Sequence, residues 1–463
     1  MTDSSSLVPN QQAVSSDCLF NLKPSSVPGR CYRASIPTSN KSVFSPQDVA
    51  ILYIPCGRRN TFLDPTQSFI KYTINNNDTT ASNAYYIDGT GACVINRLDS
   101  FSGSNLLETV QSYNVLYSYL TDFQMNLGAR IGSSSNYGAS VSTSSIRSGA
   151  KLTPASSASK PCKLTVCMPI LSAVFGLGAD KMVPIGLMGD DIRVEISFES
   201  QAVGMVADAT TAPTSAWTVT NMELELCIIE LSDVGMSMVN SVTPFNQPIY
   251  LHGNTWRHYA SSLPSAQTGN YSTLVPARFA SLKSLVLCPR CNTQAIGATA
   301  YSISSRVNPS IAQYWWRVGP YLIPNKPVGL ISDGLIGGYA EAYTETLRSF
   351  HALSHADSGA SIGFDEYNVC DFGTADSFVG NGGITVNNTA NSSYKNAFAI
   401  GQELEMWAMR SDVLISGMNT LASQVFFECN LSSNALVAAY TLDFFANADI
   451  IYVLENGLLS ARY

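Results

Sequence analysis

The chain has 463 residues, too many for one ordinary domain, so two large or three medium domains are expected. Only 13% of residues are charged, about half the usual share, against 45% hydrophobic and a mean hydropathy of +0.08. The net charge is −8 and no run of five basic residues occurs, which excludes a protein that grips nucleic acid by neutralising phosphates.

Charge is depleted in the cores of protein interfaces, so a surface mostly covered by other copies of the chain would have this composition. A secreted β-protein with a neutral surface would share it. Residues 1–29 are rich in Ser, Gln, Asn and Pro and read as an extended arm. Lys23 and Arg30 are its only basic residues up to position 30, too few for an arm that holds a genome. No basic region leading into an apolar run follows Met1, so no secretory signal is expected. No uncharged apolar run reaches the roughly 18 residues of a membrane span. The eleven cysteines are odd in number and scattered, so no disulfide framework is legible and thiols in a reducing compartment are expected. Sequons at Asn40, Asn77, Asn270, Asn387, Asn391 and Asn430 read as coincidences in an Asn/Ser/Thr-rich chain.

In chain order, Val49–Ile54 is an apolar strand stopped by Pro55, and Ser68–Ile74 alternates as a half-buried strand. From Asn105 the chain reads as a capped helix. Asn105 is the N-cap and Glu108 reaches back to the first turn. Leu106, Val110, Tyr113, Tyr117 and Leu120 form its apolar stripe. Residues 132–161 are a Gly/Ser/Ala/Thr-rich loop of about thirty residues, long for the inside of a compact domain. Leu164–Ile170 is a strand, Phe175–Gly178 a turn, and Asp191–Glu199 a strict alternation with Ile192, Val194, Ile196 and Phe198 inward. Trp217–Ile228 repeats the scheme, with Met222, Leu224 and Leu226 inward and Glu223 and Glu225 outward.

Residues 242–248 carry two prolines and mark a boundary just upstream, dividing 30–240 from 241–463. The second part restarts with strands at Leu282–Leu287 and Tyr314–Val318. After Gly337 and Gly338 a helix shows Tyr339, Tyr343, Leu347 and Phe350 on one face. Strands Leu404–Met409, Gln424–Leu431 and Leu442–Leu454 follow. Each half thus holds many short strands and one helix, although the halves are not similar residue by residue.

Chemical motifs are few. Cys288 and Cys291 form a C-x-x-C without the second ligand pair that structural zinc needs. His351 and His355 stand at helical spacing, but Ala352 occupies the place of a zincin glutamate. Gly359, Ser361 and Gly363 fit the nucleophile-elbow pattern without its flanking strand and helix, so a turn is expected. No P-loop is present. No carboxylate pair can be placed at glycosidase spacing from sequence. No catalytic residue, cofactor or metal ligand is therefore assigned. Trp315 with its aromatic neighbours could stack on a sugar, but adjacent residues of a strand point to opposite faces.

Three blocks carry a resemblance. They are GSNLLETVQSYNVLYSYLTDFQ from Gly103 to Gln124, MPILSAVFGLGADKMVPIGLMGDDIRVEISFES from Met168 to Ser200, and FLDPTQSFIKYTINN from Phe62 to Asn76. Together they cover about 70 residues of the first half. They resemble the double-jelly-roll major capsid proteins of the adenovirus, polinton, virophage and large-DNA-virus lineage. The second half resembles that family in length, helix position and its LDFFANADIIYVLENG ending.

The resemblance implies an all-β chain of two consecutive eight-stranded antiparallel jelly-roll β-sandwiches, each with a short inserted helix. It implies a shell protein and not an enzyme, in which three copies form a pseudo-hexagonal capsomer that tiles an icosahedral face. Its partners would be itself, penton and minor capsid proteins, with no charge-driven nucleic-acid binding; an underlying membrane stays open. It would be made inside the host cell and reside in the virion capsid. Trp315, Trp316, Tyr113 and Tyr117 are the residues expected at the trimer seam. The rival readings are a carbohydrate-binding or carbohydrate-active β-sandwich and a single-jelly-roll shell protein with a projecting domain.

Overall fold

The computed structural model describes residues 26–80, 83–138, 148–155, 162–207, 216–243, 247–292, 302–330, 339–350, 360–362, 367, 378–379, 385–386, 397–406, 415–431 and 439–462. The first half contains β1 (Gly29–Pro37), β2 (Val43–Phe44), β3 (Val49–Ile54), β4 (Thr61–Asn76), β5 (Tyr85–Asp88), β6 (Ile95–Ser102) and β7 (Asn105–Val110). Helices α1 (Tyr113–Gln124), α2 (Leu127–Gly132) and α3 (Ser134–Tyr137) follow, then β8 (Ser148–Leu152), β9 (Lys163–Pro169), β10 (Ile192–Phe198), α4 (Gln201–Gly204), β11 (Val206–Ala207) and β12 (Trp217–Leu231). Helix α5 (Asp233–Val242) leads into the second half. There β13 (Ile249–Leu263), β14 (Asn270–Val275), β15 (Leu282–Cys291), β16 (Ile311–Val318) and β17 (Tyr321–Gly329) precede α6 (Ala340–Arg348). The chain closes with β18 (Phe378–Val379), β19 (Thr385–Val386), β20 (Ile400–Glu403), β21 (Val425–Leu431), β22 (Tyr440–Glu455) and β23 (Leu458–Arg462).

Each half is a sandwich of two four-stranded antiparallel sheets with small additions. The first half pairs β1-β12-β4-β9 in one sheet and β3-β10-β6-β7 in the other. The second pairs β13-β22-β15-β20 and β14-β21-β16-β17. Ranking the eight main strands of each half by chain order gives first, eighth, third, sixth in one sheet and second, seventh, fourth, fifth in the other, in both halves. That is the Greek-key order of a jelly roll. The inserted helices repeat as well. Helix α1 lies between the fifth and sixth main strands of its half, and α6 between the fifth and sixth of its own.

Alternation explains the interiors. In β10, Ile192, Val194, Ile196 and Phe198 are buried while the residues between them are partly exposed. In β21, Val425, Phe427, Cys429 and Leu431 do the same. The rim of β3 is closed by a side chain. The Asn40 amide donates to the Val49 carbonyl (2.7 Å) and accepts from Ile51 N–H (3.1 Å), taking the place of a further strand.

The sequence expectations need five corrections. Asn105–Val110 is a strand and not a first helical turn. It pairs with β6 through a hairpin in which Gly103 has φ +57°, the conformation that a tight turn requires of its first central residue. Asn105 therefore caps nothing, and Leu106 lies 47% exposed. Helix α1 begins at Tyr113, and every residue from Tyr113 to Phe123 is buried, so it has no single apolar stripe. Glu225 on β12 is buried, held by Arg33 (3.0 Å) and by the Ser35 hydroxyl (2.6 Å) from the covering strand β1. Within 132–161 the described residues include α3 and β8, the latter paired with β5. The strand expected at Leu404–Met409 lies earlier, as β20, and pairs with β15; residues 407–409 lie outside the described residues.

Candidate assembly surface and the junction between the sandwiches

Three buried acidic residues of the first half reach across to the second. Asp88, at the end of β5, accepts from Ile303 N–H (2.8 Å), Ser304 N–H (3.3 Å) and the Ser304 hydroxyl. Glu108 on β7 accepts from Ala173 N–H (2.9 Å), from the Ser172 hydroxyl (2.7 Å) and from the Thr255 hydroxyl on β13 (2.7 Å). Asp122 on α1 is ion-paired with Arg130 of α2 and with the fully buried Arg306 of the second half. Burial raises the Glu108 pKa, and its hydrogen bonds and the nearby Arg257 only partly oppose this. A carboxylate in such a place is tolerable only when its lone pairs are satisfied.

Backbone contacts reinforce the acids. Asn254 N–H donates to Gly178 O (2.7 Å), Asp180 N–H to His252 O (3.2 Å) and Gly189 N–H to Gly457 O (2.8 Å). A Cβ on Gly178 would stand 2.3 Å from Asn254 O, and one on Gly253 would stand 2.7 Å from Ala173 O. Only glycine allows the two backbones this approach. The two inserted helices also meet here. Phe350, just past α6, packs on Tyr119 of α1 (ring centroids 5.0 Å) and Phe123 (6.3 Å), while Trp256 of β13 lies 6.4 Å from Phe350. The two sandwiches are thus held by hydrogen bonds, ion pairs and aromatic packing together.

Three of the four residues expected at a trimer seam lie in the chain's own core. Trp316 is fully buried in the second sandwich, against Phe427 (5.0 Å) and Phe444 (5.9 Å). Tyr113 and Tyr117 are buried in the first, where the Tyr113 hydroxyl accepts from Leu171 N–H (3.0 Å). These three serve the chain's own core and offer no surface to a second copy. Trp315 points to the opposite face, partly exposed. Its indole N–H donates to Glu428 (2.7 Å), which also pairs with Arg317 (2.8 Å). A flat sugar platform of two indoles is therefore not formed.

The other motifs find structural roles or fall outside the description. The Ser361 hydroxyl accepts from Arg130 (3.1 Å) and contacts the Thr121 and Asp122 carbonyl oxygens, while Ser361 N–H donates to Asp122 O (2.8 Å). It pins a second-half segment to the end of α1. Cys288 and Cys291 are both buried in β15, and burial pushes the Cys288 thiol up to about 12. Among the described residues no three His, Cys, Asp or Glu side chains gather as a metal site. His351 and His355 lie outside the described residues.

The outer surface carries exposed apolar side chains that no pattern singled out. On α5, Val234, Met238 and Val242 recur every fourth residue and are 63%, 55% and 84% exposed. On the rim strand β3, Val49 and Tyr53 are 37% and 44% exposed, although Ala50, Leu52 and Ile54 fill the core. Strand β3 is thus apolar on both faces, which a wholly solvated rim would not need.

This is the double jelly roll of viral major capsid proteins. Among solved structures, the chain is similar to the capsid protein in a quasi-atomic model of the PBCV-1 virus capsid, with a TM-score of 0.59, 11% identity, and coverage of 96% of this chain and 99% of that one. It is similar to a chain in the cryo-EM structure of the Sputnik virophage, with a TM-score of 0.55, 11% identity, and coverage of 98% and 93%. It is also similar to the mavirus major capsid protein, with a TM-score of 0.51, 9% identity, and coverage of 97% and 93%. No protein-family model matches the sequence, and no curated protein matches it.

Proposed function

We propose that this chain is a structural subunit, the major capsid protein of an icosahedral virus, and that it works without catalysis. Three copies would set six sandwiches in a pseudo-hexagonal capsomer, and capsomers would tile the faces of the shell. The observation that carries this reading is the correspondence of both sandwiches, over nearly the whole chain, with chains taken from virus capsids. The junction supports it physically. A tile must keep its two sandwiches at a constant angle, and the buried acids and glycine contacts do so. The low charge and the exposed apolar side chains on α5 and β3 suit a surface covered by other copies. Its partners would be itself, penton and minor capsid proteins, and its place the virion capsid, assembled inside the host cell.

The test is the native mass of the purified chain, followed by negative-stain images of the same peak. A mass of three times 49.7 kDa with hexagonal particles is the expected result. A chain that stays monomeric at high concentration overturns the reading.

A further inference from the structure

We infer that Cys31 and Cys227 form an oxidisable thiol pair, a site for thiol–disulfide exchange that fastens β1 to the strand beside it. Cys31 lies exposed on the edge strand β1, and Cys227 lies buried on β12. The register places Cys31 opposite Ile229 and Cys227 opposite Arg33. The two cysteines are therefore diagonal neighbours on one face of the sheet. Their sulfur atoms are 3.2 Å apart, and both are free thiols. A disulfide of about 2.05 Å requires the two sulfurs to close by roughly 1 Å more.

The exposure of the two sulfurs orders the chemistry. A small soluble disulfide such as oxidised glutathione meets Cys31 first. The Cys31 thiolate attacks one of its sulfurs, forming a mixed disulfide and releasing one glutathione thiol. Cys227 then attacks the Cys31 sulfur and releases the second glutathione, its own proton passing to solvent. Two protein thiols are oxidised and one glutathione disulfide is reduced to two thiols. Burial, the Cys31 contact and the charge of Asp64 together push the Cys227 thiol up to about 11. This marks Cys227 as the resolving thiol and leaves the first attack to its exposed neighbour.

The crosslink would join residues 196 positions apart, enclosing nearly the whole first sandwich in one loop. Long loops are where a crosslink restricts the unfolded chain most. It would also fix β1, whose other edge pairs with no strand among the described residues. A particle assembled among reduced thiols and released into an oxidising medium would close this bond after assembly. That consequence rests on the shell reading, whereas the thiol chemistry does not.

The experiment uses the full chain, incubated with excess oxidised glutathione or with dithiothreitol and then mapped by mass spectrometry without reduction. The expected product is a peptide pair joined through Cys31 and Cys227, with a melting temperature several degrees above that of the reduced chain. Cys227→Ser should stop at a stable glutathione adduct on Cys31, and Cys31→Ser should leave Cys227 unmodified. A wild-type chain that keeps the adduct on Cys31, or that stays reduced throughout, overturns the inference. The wild-type map decides this even where Cys227→Ser folds poorly.

Discussion

The interior of each sandwich and the junction between them are built on opposite rules. Inside a sandwich, strands such as β10 and β21 alternate apolar residues inward, and Trp316 packs on the rings of Phe427 and Phe444. At the junction, Asp88, Glu108 and Asp122 are buried, each with named donors. Apolar packing is tolerant of exchange between residues of similar volume. A buried carboxylate holds one geometry and fails when a partner is removed. The interiors therefore supply stability, and the junction supplies a defined angle.

The largest effect should come from the interior. Trp316→Ala should cost about 3–5 kcal/mol, read as a lower denaturant midpoint for the whole chain. Asp122→Ala is close behind, at about 3–5 kcal/mol for a buried pair deprived of one partner, because it leaves Arg130 and Arg306 facing each other. Its signature should differ, with the second sandwich loosening on the first before either melts, visible as hydrogen exchange in α1 and around Arg306. Equal and simultaneous exchange throughout the chain would erase the distinction.

The acids also separate by pH. Burial would raise the Asp443 pKa, but Arg290 (2.6 Å) and His258 (2.8 Å) outweigh it and hold it at about 2. Its ordinary value is 3.8, so its contribution is present above that pH and is lost as the pH falls towards 2. The difference is worth about 2 kcal/mol, and Asp443→Asn should flatten acid unfolding over that window. Glu108 has the opposite sign. Its raised pKa favours the folded state at low pH, and that contribution is lost as the pH rises through the folded value. Glu108→Gln should remove this slope, and an unaltered slope would assign it to another group. The smallest effect is expected on the outer surface, where Met238→Glu should shift monomer stability by at most about 0.5 kcal/mol.

The same contrast decides what could be read from the sequence. Strands β10, β12 and β21 were legible because alternation writes burial directly into residue type. The long strand β13 was not, because His252, Asn254 and His258 interrupt the pattern, although every one of its residues pairs with β22. Strand β7 imitated a capped helix, since Asn105 and Glu108 have capping spacing; the hairpin glycine at 103 was the signal that outweighed it. The junction was invisible for a physical reason. Asp88, Glu108 and Asp122 look like surface residues until the fold supplies Ser304, Thr255 and Arg306, which lie far away in the chain. The burial of Trp316, Tyr113 and Tyr117 was equally hard to read, because aromatic side chains suit a core as well as an interface.

The covalent path from α5 to β13 changes what the junction must accomplish. Residues 243–248 connect the two sandwiches, so their docking is a reaction within one molecule. A short tether holds such partners at an effective concentration in the millimolar range. Two separate sandwiches would need a large apolar interface to stay together in dilute solution. Joined by a few residues, they can use one rich in buried polar contacts, whose worth lies in their directionality, and they emerge from synthesis in equal numbers.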